Sequence, residues 1–194
     1  MSKLVDLVDN SLTDKNTTHS YLETYENLLS SKKYTASNVY EIGIGPGDRN
    51  GGSILMWHDY FLSANIYASD MLPYDQMNPN IIDKERIHIY TSTDAYNPTF
   101  VNTAFKTNNI TFDVVVDDGP HTLESMIMCI QQYLPLLKED GIMIIEDVQS
   151  IHWLHILQNM VPEELKPYIE TYDLRGVKGR YDDIVFVINR SKKL

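Results

Sequence analysis

The sequence predicts an α/β fold, a mostly parallel sheet with helices on both faces. Short β-rich runs alternate with helical runs from about residue 38 onward. Several of these runs are apolar at every position, as in Val114-Val115-Val116 and Ile142-Met143-Ile144-Ile145, the pattern of strands covered on both sides. The residues that close the runs are acidic, and ligands of such sheets bind beyond the carboxyl ends of the strands.

The elements follow in order. Residues 1 to about 35 are polar with two helical stretches, one showing Leu4, Leu7 and Val8 on a face and the other Tyr21, Tyr25, Leu28 and Leu29. This segment is expected to form a helical lid or flap, with residues 36–194 as the main domain. As a lid it would turn Tyr21 or Tyr25 toward a substrate; otherwise it is a structural flap or part of an interface. Strands are expected at Val39–Gly43, Asn65–Ala68, Ile87–Tyr90, Asp113–Asp117, Gly141–Ile145, Ile169–Asp173 and Ile184–Asn189. Helices are expected over Gly52 to about Phe61, Pro98 to Lys106, His121 to Leu137 and Ile151 to Met160.

Composition narrows the function. The chain has 194 residues, enough for one compact domain without a disulfide or metal staple. Its one cysteine, Cys129, lies in an apolar helical run and reads as a packed thiol. No secretory pattern and no bilayer-length apolar run occurs, so a cytoplasmic location without membrane attachment is expected. A net charge of −11 repels phosphate backbones and argues against general nucleic-acid binding. Local basic patches are confined to Lys32-Lys33, Arg175 to Arg180, and Arg190-Ser191-Lys192-Lys193.

The first strand runs into Glu41-Ile42-Gly43-Ile44-Gly45-Pro46-Gly47, a turn that lets a ligand approach the backbone. A dinucleotide fingerprint needs a third glycine where Asp48 stands, and Pro46 removes an amide donor. A phosphate-free, cationic cofactor fits better. The sulfonium and amino groups of S-adenosylmethionine suit an acidic loop, and its carboxylate would meet the amides of Gly51, Gly52 and Ser53 at a helix start. Asp70 closes the second strand, placed to accept the ribose hydroxyls, and Asp94 the third, within reach of the adenine amine. Gly43, Gly45 and Asp117 complete the expected cofactor set.

The fourth strand ends in Asp117-Asp118-Gly119-Pro120-His121 and the fifth in Glu146-Asp147. If these strands are neighbours, like charges crowd together, and either protons or a cation must relieve them. All-oxygen ligands favour Mg²⁺, Mn²⁺ or Ca²⁺ over zinc. The simpler alternative makes each carboxylate a helix cap. His121 is either a surface residue or a base beside the metal. His152 and Trp153 are candidates for a wall around a polar ring, Trp153 alternatively for the core, and His155 for the helix surface.

These residues resemble a known family. Glu41 to Gly47, Gly51-Gly52-Ser53 with Met56 to Phe61, Asp117 to His121, Leu136-Leu137-Lys138 with Gly141, and Ile145 to Gln149 are similar to the metal-dependent sugar O-methyltransferases. That family includes macrolide-sugar and rhamnosyl O-methyltransferases and cephalosporin hydroxylase-like proteins. The similarity covers roughly residues 38–190, and Tyr181 to Val187 look like the family's last strand. The resemblance implies a Rossmann-like class I methyltransferase fold with a seven-stranded sheet. It implies S-adenosylmethionine contacts from Glu41, Ser53 and Asp70, Mg²⁺ (or Mn²⁺) on Asp118, Glu146 and Asp147, and His121 as general base. The acceptor so implied is a sugar hydroxyl, a deoxyhexose such as rhamnose, carried as a nucleotide sugar or in a glycan. Rival readings are a catechol, amino-sugar or RNA methyltransferase of the same fold, or a non-catalytic cofactor-binding module. Pro120 stands where the family usually has Ser, and the N-terminal part is short. The oligomeric state, a homo-oligomer included, stays open.

Overall fold

The computed structural model describes residues 2–45 and 50–193, so the expectations placed on Pro46, Gly47 and Asp48 lie outside the described residues. The chain divides into two compact units, Met1–Ala95 and Tyr96–Leu194.

The first unit holds helices α1 (Leu4–Leu7) and α2 (Leu22–Leu29), strand β1 (Asn38–Ile42), helix α3 (Gly52–Tyr60), and strands β2 (Asn65–Ser69) and β3 (Ile87–Tyr90). β1 pairs in parallel with β2, and β2 with β3. Helix α3 is almost wholly buried, which explains its lack of an apolar–polar alternation. Trp57, Tyr60 and Phe61 are buried there, with Trp57 against Tyr25, their ring centres 5.8 Å apart. Glu26 ties the N-terminal helices to α3 by accepting from the Leu4 amide at 2.8 Å and the Tyr60 hydroxyl at 3.1 Å.

The second unit holds α4 (Pro98–Val101), β4 (Phe112–Asp117), α5 (Leu123–Tyr133), β5 (Leu137–Ile145), α6 (Trp153–Met160), β6 (Ile169–Asp173), α7 (Arg175–Lys178) and β7 (Ile184–Asn189). β4 and β5 are parallel, and β7 runs antiparallel to both β5 and β6. Every residue of β4 and of β7 is buried, as their unbroken apolar runs require. The seven strands form one sheet in the order β3-β2-β1-β4-β5-β7-β6, mostly parallel, as expected.

Several boundaries move for local reasons. The helix expected from His121 begins at Leu123, because Thr122 caps it: its Oγ1 accepts from the Ser125 amide at 3.1 Å while Ser125 Oγ accepts from the Thr122 amide at 3.2 Å. That helix ends at Tyr133 because Pro135 imposes a 3₁₀ turn over Leu134–Leu136, and β5 starts early, at Leu137. The helix expected over 98–106 is α-helical only to Val101 and continues as a π turn over Asn102–Lys106. The helix expected from Ile151 starts at Trp153. No described helix is long and apolar enough to cross a membrane.

The proposed basic patches disperse. Lys32 and Lys33 are buried, Lys33 donating to the Ser2 carbonyl and lying 4.6 Å from the Tyr60 ring centre. Arg175 forms a two-pronged pair with Asp173, Arg180 pairs with Asp182, and Lys192 lies 3.7 Å from Glu170.

Candidate active site

In the first unit the turn after β1 is built on glycine. Gly43 and Gly45 take φ values of 92° and 96°, a region costly for side chains with a Cβ. The Gly43 amide donates to the Ser69 carbonyl at 2.9 Å and the Ile44 amide to Asp70 Oδ2 at 2.8 Å. Asp70 Oδ1 accepts from the Leu72 amide at 2.8 Å. Asp70 therefore follows β2 in a fixed pose, and each carboxylate oxygen keeps a second lone pair for a ligand hydroxyl.

The other residues expected around the cofactor are placed as follows. Glu41 is fully buried and turned into the protein: Trp57 Nε1 donates to its Oε2 at 2.7 Å, and Lys15 Nζ stands 3.3 Å from Oε1. The Gly51 amide donates to the Ile44 carbonyl at 2.8 Å and is engaged within the loop. Ser53 is buried in the first turn of α3. Asp94 does not close β3, which ends at Tyr90; it lies exposed in the loop beyond, where the chain has left the sheet edge. A cavity of about 400 Å³ is lined by Leu12, Asn50 and residues 76–80. Asn50 and Asn78 lock its wall, the Asn78 amide donating to Asn50 Oδ1 at 2.6 Å and Asn78 Nδ2 to the Asn50 carbonyl at 2.9 Å.

In the second unit β4 and β5 are neighbours, so their acidic ends converge. Oxygens of Asp118 and Asp147 and a ring nitrogen of His121 lie within 4.8 Å of one another, and Asp118 also has an oxygen within 4.8 Å of one of Glu146. His121 Nε2 is 3.1 Å from Asp118 Oδ1 and 3.4 Å from Asp147 Oδ2. Burial lowers the proton affinity of this imidazole, but the hydrogen bond and charge of Asp118 and the charges of Asp147 and Asp117 outweigh it and raise the pKa. His121, three residues after Asp118, thus stands between carboxylates that end two neighbouring strands.

His121 and Asp147 both adopt left-handed backbone, with φ of 55° and 52°. Each costs about 1–2 kcal/mol relative to ordinary conformations. Such strain is retained where the surroundings over-determine it, which is common at functional sites.

Asp117 differs from its neighbours. It is buried at the end of β4, where Tyr96 donates to Oδ1 at 2.6 Å and the Gly119 amide to the same atom at 3.3 Å. Burial pushes its carboxyl up to about 6 against the opposing pull of Tyr96, the Cys129 thiol, His121 and Gly119. Asp117 thus braces its own loop through the Oδ1 contacts with Tyr96 and Gly119. Cys129 is the packed thiol expected, and burial raises its pKa further.

Asp182 and Asp183 add a further acidic pair at the start of β7. Asp183 is fully buried at the foot of β7, with an oxygen within 4.8 Å of one of Asp147. The Val148 amide donating to the Ile184 carbonyl at 3.0 Å holds these segments together. The signal was a consecutive acidic pair opening an apolar strand, but the antiparallel pairing of β7 with β5 was needed to interpret it. His155 and His152 are exposed and Trp153 is half-buried, so Trp153 is not a core residue.

No family model matches the chain. Among curated proteins, it is 27% identical over 143 residues to the 8-demethyl-8-alpha-L-rhamnosyl tetracenomycin-C 2'-O-methyltransferase of Streptomyces olivaceus, covering 72% of this chain and 36% of the relative. It is 28% identical over 157 residues to the demethylmacrocin O-methyltransferase of Streptomyces fradiae, covering 77% and 37%. The chain thus spans about a third of the length of these curated relatives. Among solved structures, the MycE methyltransferase of the mycinamycin biosynthetic pathway, in complex with Mg and SAH, superposes with a TM-score of 0.74 at 20% identity, covering 97% of this chain and 54% of that one. A Methanococcus jannaschii fibrillarin superposes with a TM-score of 0.59 at 17% identity, covering 83% and 70%. The fold is that of the Rossmann-like class I methyltransferases, and both sequence relatives are named as O-methyltransferases, one of them for a rhamnosyl compound, in agreement with the motif resemblance.

Proposed function

We propose that this chain catalyses methyl transfer from S-adenosylmethionine to a sugar hydroxyl with the help of a divalent metal. The observation that carries the reading is the ligand-distance grouping of Asp118 with Asp147 and His121, and of Asp118 with Glu146. Sequence relatives named for methylating sugar-bearing natural products support it. A hard oxygen donor set of this kind suits Mg²⁺ or Mn²⁺. Asp118, Glu146 and Asp147 would hold the cation. Glycine-turn residues Gly43 and Gly45, with Asp70, would hold the cofactor, Asp70 taking ribose hydroxyls on its remaining lone pairs. When bound, S-adenosylmethionine supplies the methyl group and the cation acidifies a coordinated hydroxyl.

The chain's own residues do the remaining work. His121 Nε2, 3.1 Å from Asp118 Oδ1 and 3.4 Å from Asp147 Oδ2, would accept the hydroxyl proton. The capping of α5 by Thr122 and the Tyr96–Asp117–Gly119 contacts fix the loop that carries His121, so orientation is set before substrate arrives. Asp94 and Asp117 have no direct cofactor role in this mechanism. The acceptor proposed is a deoxyhexose such as rhamnose, as a nucleotide sugar or within a glycan.

A methyl-transfer screen over deoxysugars, nucleotide sugars, glycosides, amino sugars and catechols, with and without Mg²⁺, tests the reading. Metal-dependent formation of S-adenosylhomocysteine with a sugar acceptor supports it. Transfer to catechols alone would assign the same machinery to a different acceptor, and cofactor binding with no turnover on any acceptor would favour a non-catalytic module.

A further inference from the structure

We propose that Lys15 is a positioning residue for the cofactor loop, so that the N-terminal segment clamps the loop rather than serving as a lid over the acceptor. The proposal rests on the reading that the turn after β1 binds S-adenosylmethionine.

Lys15 and Glu41 form an ion pair at 3.3 Å with side-chain exposures of 1% and 0%. A buried carboxylate needs a partner, and removing one member of a buried pair leaves an uncompensated charge. Glu41 meets partners on different elements, among them Trp57 on α3 at its Oε2 and Lys15 on the N-terminal segment at its Oε1. It stands two residues before Gly43, in the strand that feeds the turn whose Ile44 amide fixes Asp70. A displaced Glu41 therefore shifts the glycine turn and the carboxylate that turn holds.

The segment carrying Lys15 is built to be stationary. The Asp14 carbonyl accepts from the amides of Thr17, Thr18 and His19, and the Lys15 carbonyl from the Tyr21 amide at 3.1 Å. Tyr21 and Tyr25, the two rings a lid would have turned outward, are fully buried, with Tyr21 stacked on His19 at 5.0 Å and Tyr25 against Trp57. Leu12 presses its backbone against the first residue of α3: a Cβ at Gly52 would meet the Leu12 carbonyl oxygen at 2.5 Å. Leu12 also lines the cavity beside Asn50, the described residue at the far side of the loop. Residues 12–25 thus touch both the strand that enters the loop and the helix that leaves it.

The test is calorimetric titration with S-adenosylhomocysteine, alongside thermal unfolding, of the wild type, Lys15→Arg, Lys15→Met and Lys15→Met/Glu41→Gln, below the melting point of each. Lys15→Met should bind roughly tenfold more weakly or worse while still folded, and Lys15→Arg, which keeps the charge, should stay within about threefold of wild type. The double variant leaves no unpaired charge and keeps an acceptor for the Trp57 indole, so it should return to within about threefold. A folded Lys15→Met with wild-type affinity overturns the proposal. So does a folded double variant as weak as Lys15→Met, since Glu41 would then act on the cofactor by its own charge. If Lys15→Met does not fold, the double variant decides; if that also fails to fold, the pair serves the whole unit and the proposal falls. A wild type that binds no S-adenosylhomocysteine overturns the cofactor reading and this proposal together, whereas wild-type binding with an unaffected Lys15→Met overturns the proposal alone.

Discussion

The two units treat their carboxylates in opposite ways. In the first, each key carboxylate is given fixed donors: Asp70 takes two backbone amides, and Glu41 takes an indole and an ammonium. In the second, carboxylates are gathered within ligand distance of one another, with one imidazole shared between Asp118 and Asp147. Positive φ occurs at non-glycine residues in both units, at Asp83, Arg86 and Ser92 in the first and at Asn109, His121 and Asp147 in the second. The glycine turn takes positive φ where no Cβ resists it, whereas His121 and Asp147 take it at a cost. A region finished in this way is ready to receive a neutral or cationic ligand by hydrogen bonding. Under the proposed function, a region that concentrates negative charge is one that a cation would complete, relieving the repulsion that folding leaves behind.

The largest effects should come from the charge-gathering region. Chelation, or Asp147→Asn, should abolish methyl transfer while S-adenosylhomocysteine affinity, measured by calorimetry, stays within about threefold, because the cofactor's expected contacts lie on other strands. Mg²⁺ added back to chelated enzyme should restore turnover, and Ca²⁺ should do so poorly because its coordination is looser. Full activity after chelation would end the metal assignment of these carboxylates, which cap neither α5 nor α6.

His121→Ala should separate proton transfer from metal binding. Turnover at neutral pH should fall by about 10²–10⁴-fold with the metal still bound, as followed by Mn²⁺ titration. Loss of Mn²⁺ binding in this variant would make His121 a ligand and blur the division of roles.

A smaller effect is expected in the pre-satisfied region. Asp70→Ala should weaken S-adenosylhomocysteine binding by about 1.5–3 kcal/mol, and NAD should not bind measurably. Unchanged affinity in the variant would remove Asp70 from the site.

The smallest effect concerns stability rather than chemistry. A Cβ at Gly119 would lie 2.2 Å from the Tyr96 hydroxyl, so Gly119→Ala should cost about 1–3 kcal/mol in thermal or denaturant unfolding. Adding Tyr96→Phe removes the clashing oxygen but also the hydroxyl donor of Asp117 Oδ1, so the double variant should cost less than the sum of the two single variants, part of the clash being recovered. No recovery would show that the loop resists change for a reason other than this contact.

Much of this was legible in the chain because it is local. Strand period and apolar runs predicted seven strands, and Asp-Asp and Glu-Asp pairs at their ends marked where carboxylates would converge once β4 and β5 paired. Glycine spacing marked the turn after β1. Element ends were less legible, since Thr122 and Pro135 set the limits of α5 through a cap and a ring, against an apolar periodicity that continues past both.

What the sequence determined by itself was therefore the layered α/β class, the acidic strand ends and the glycine turn, each encoded by residues a few positions apart. What only the tertiary structure decided was which charges meet. Lys15 reaches Glu41 from the N-terminal segment, Tyr96 reaches Asp117 from the start of the second unit, and Asp183 comes beside Asp147 through antiparallel pairing of β7 with β5. Composition fixes how many charges the chain carries, but the energy of each depends on its distance to a partner and its exclusion from water, and both are set only when distant segments pack.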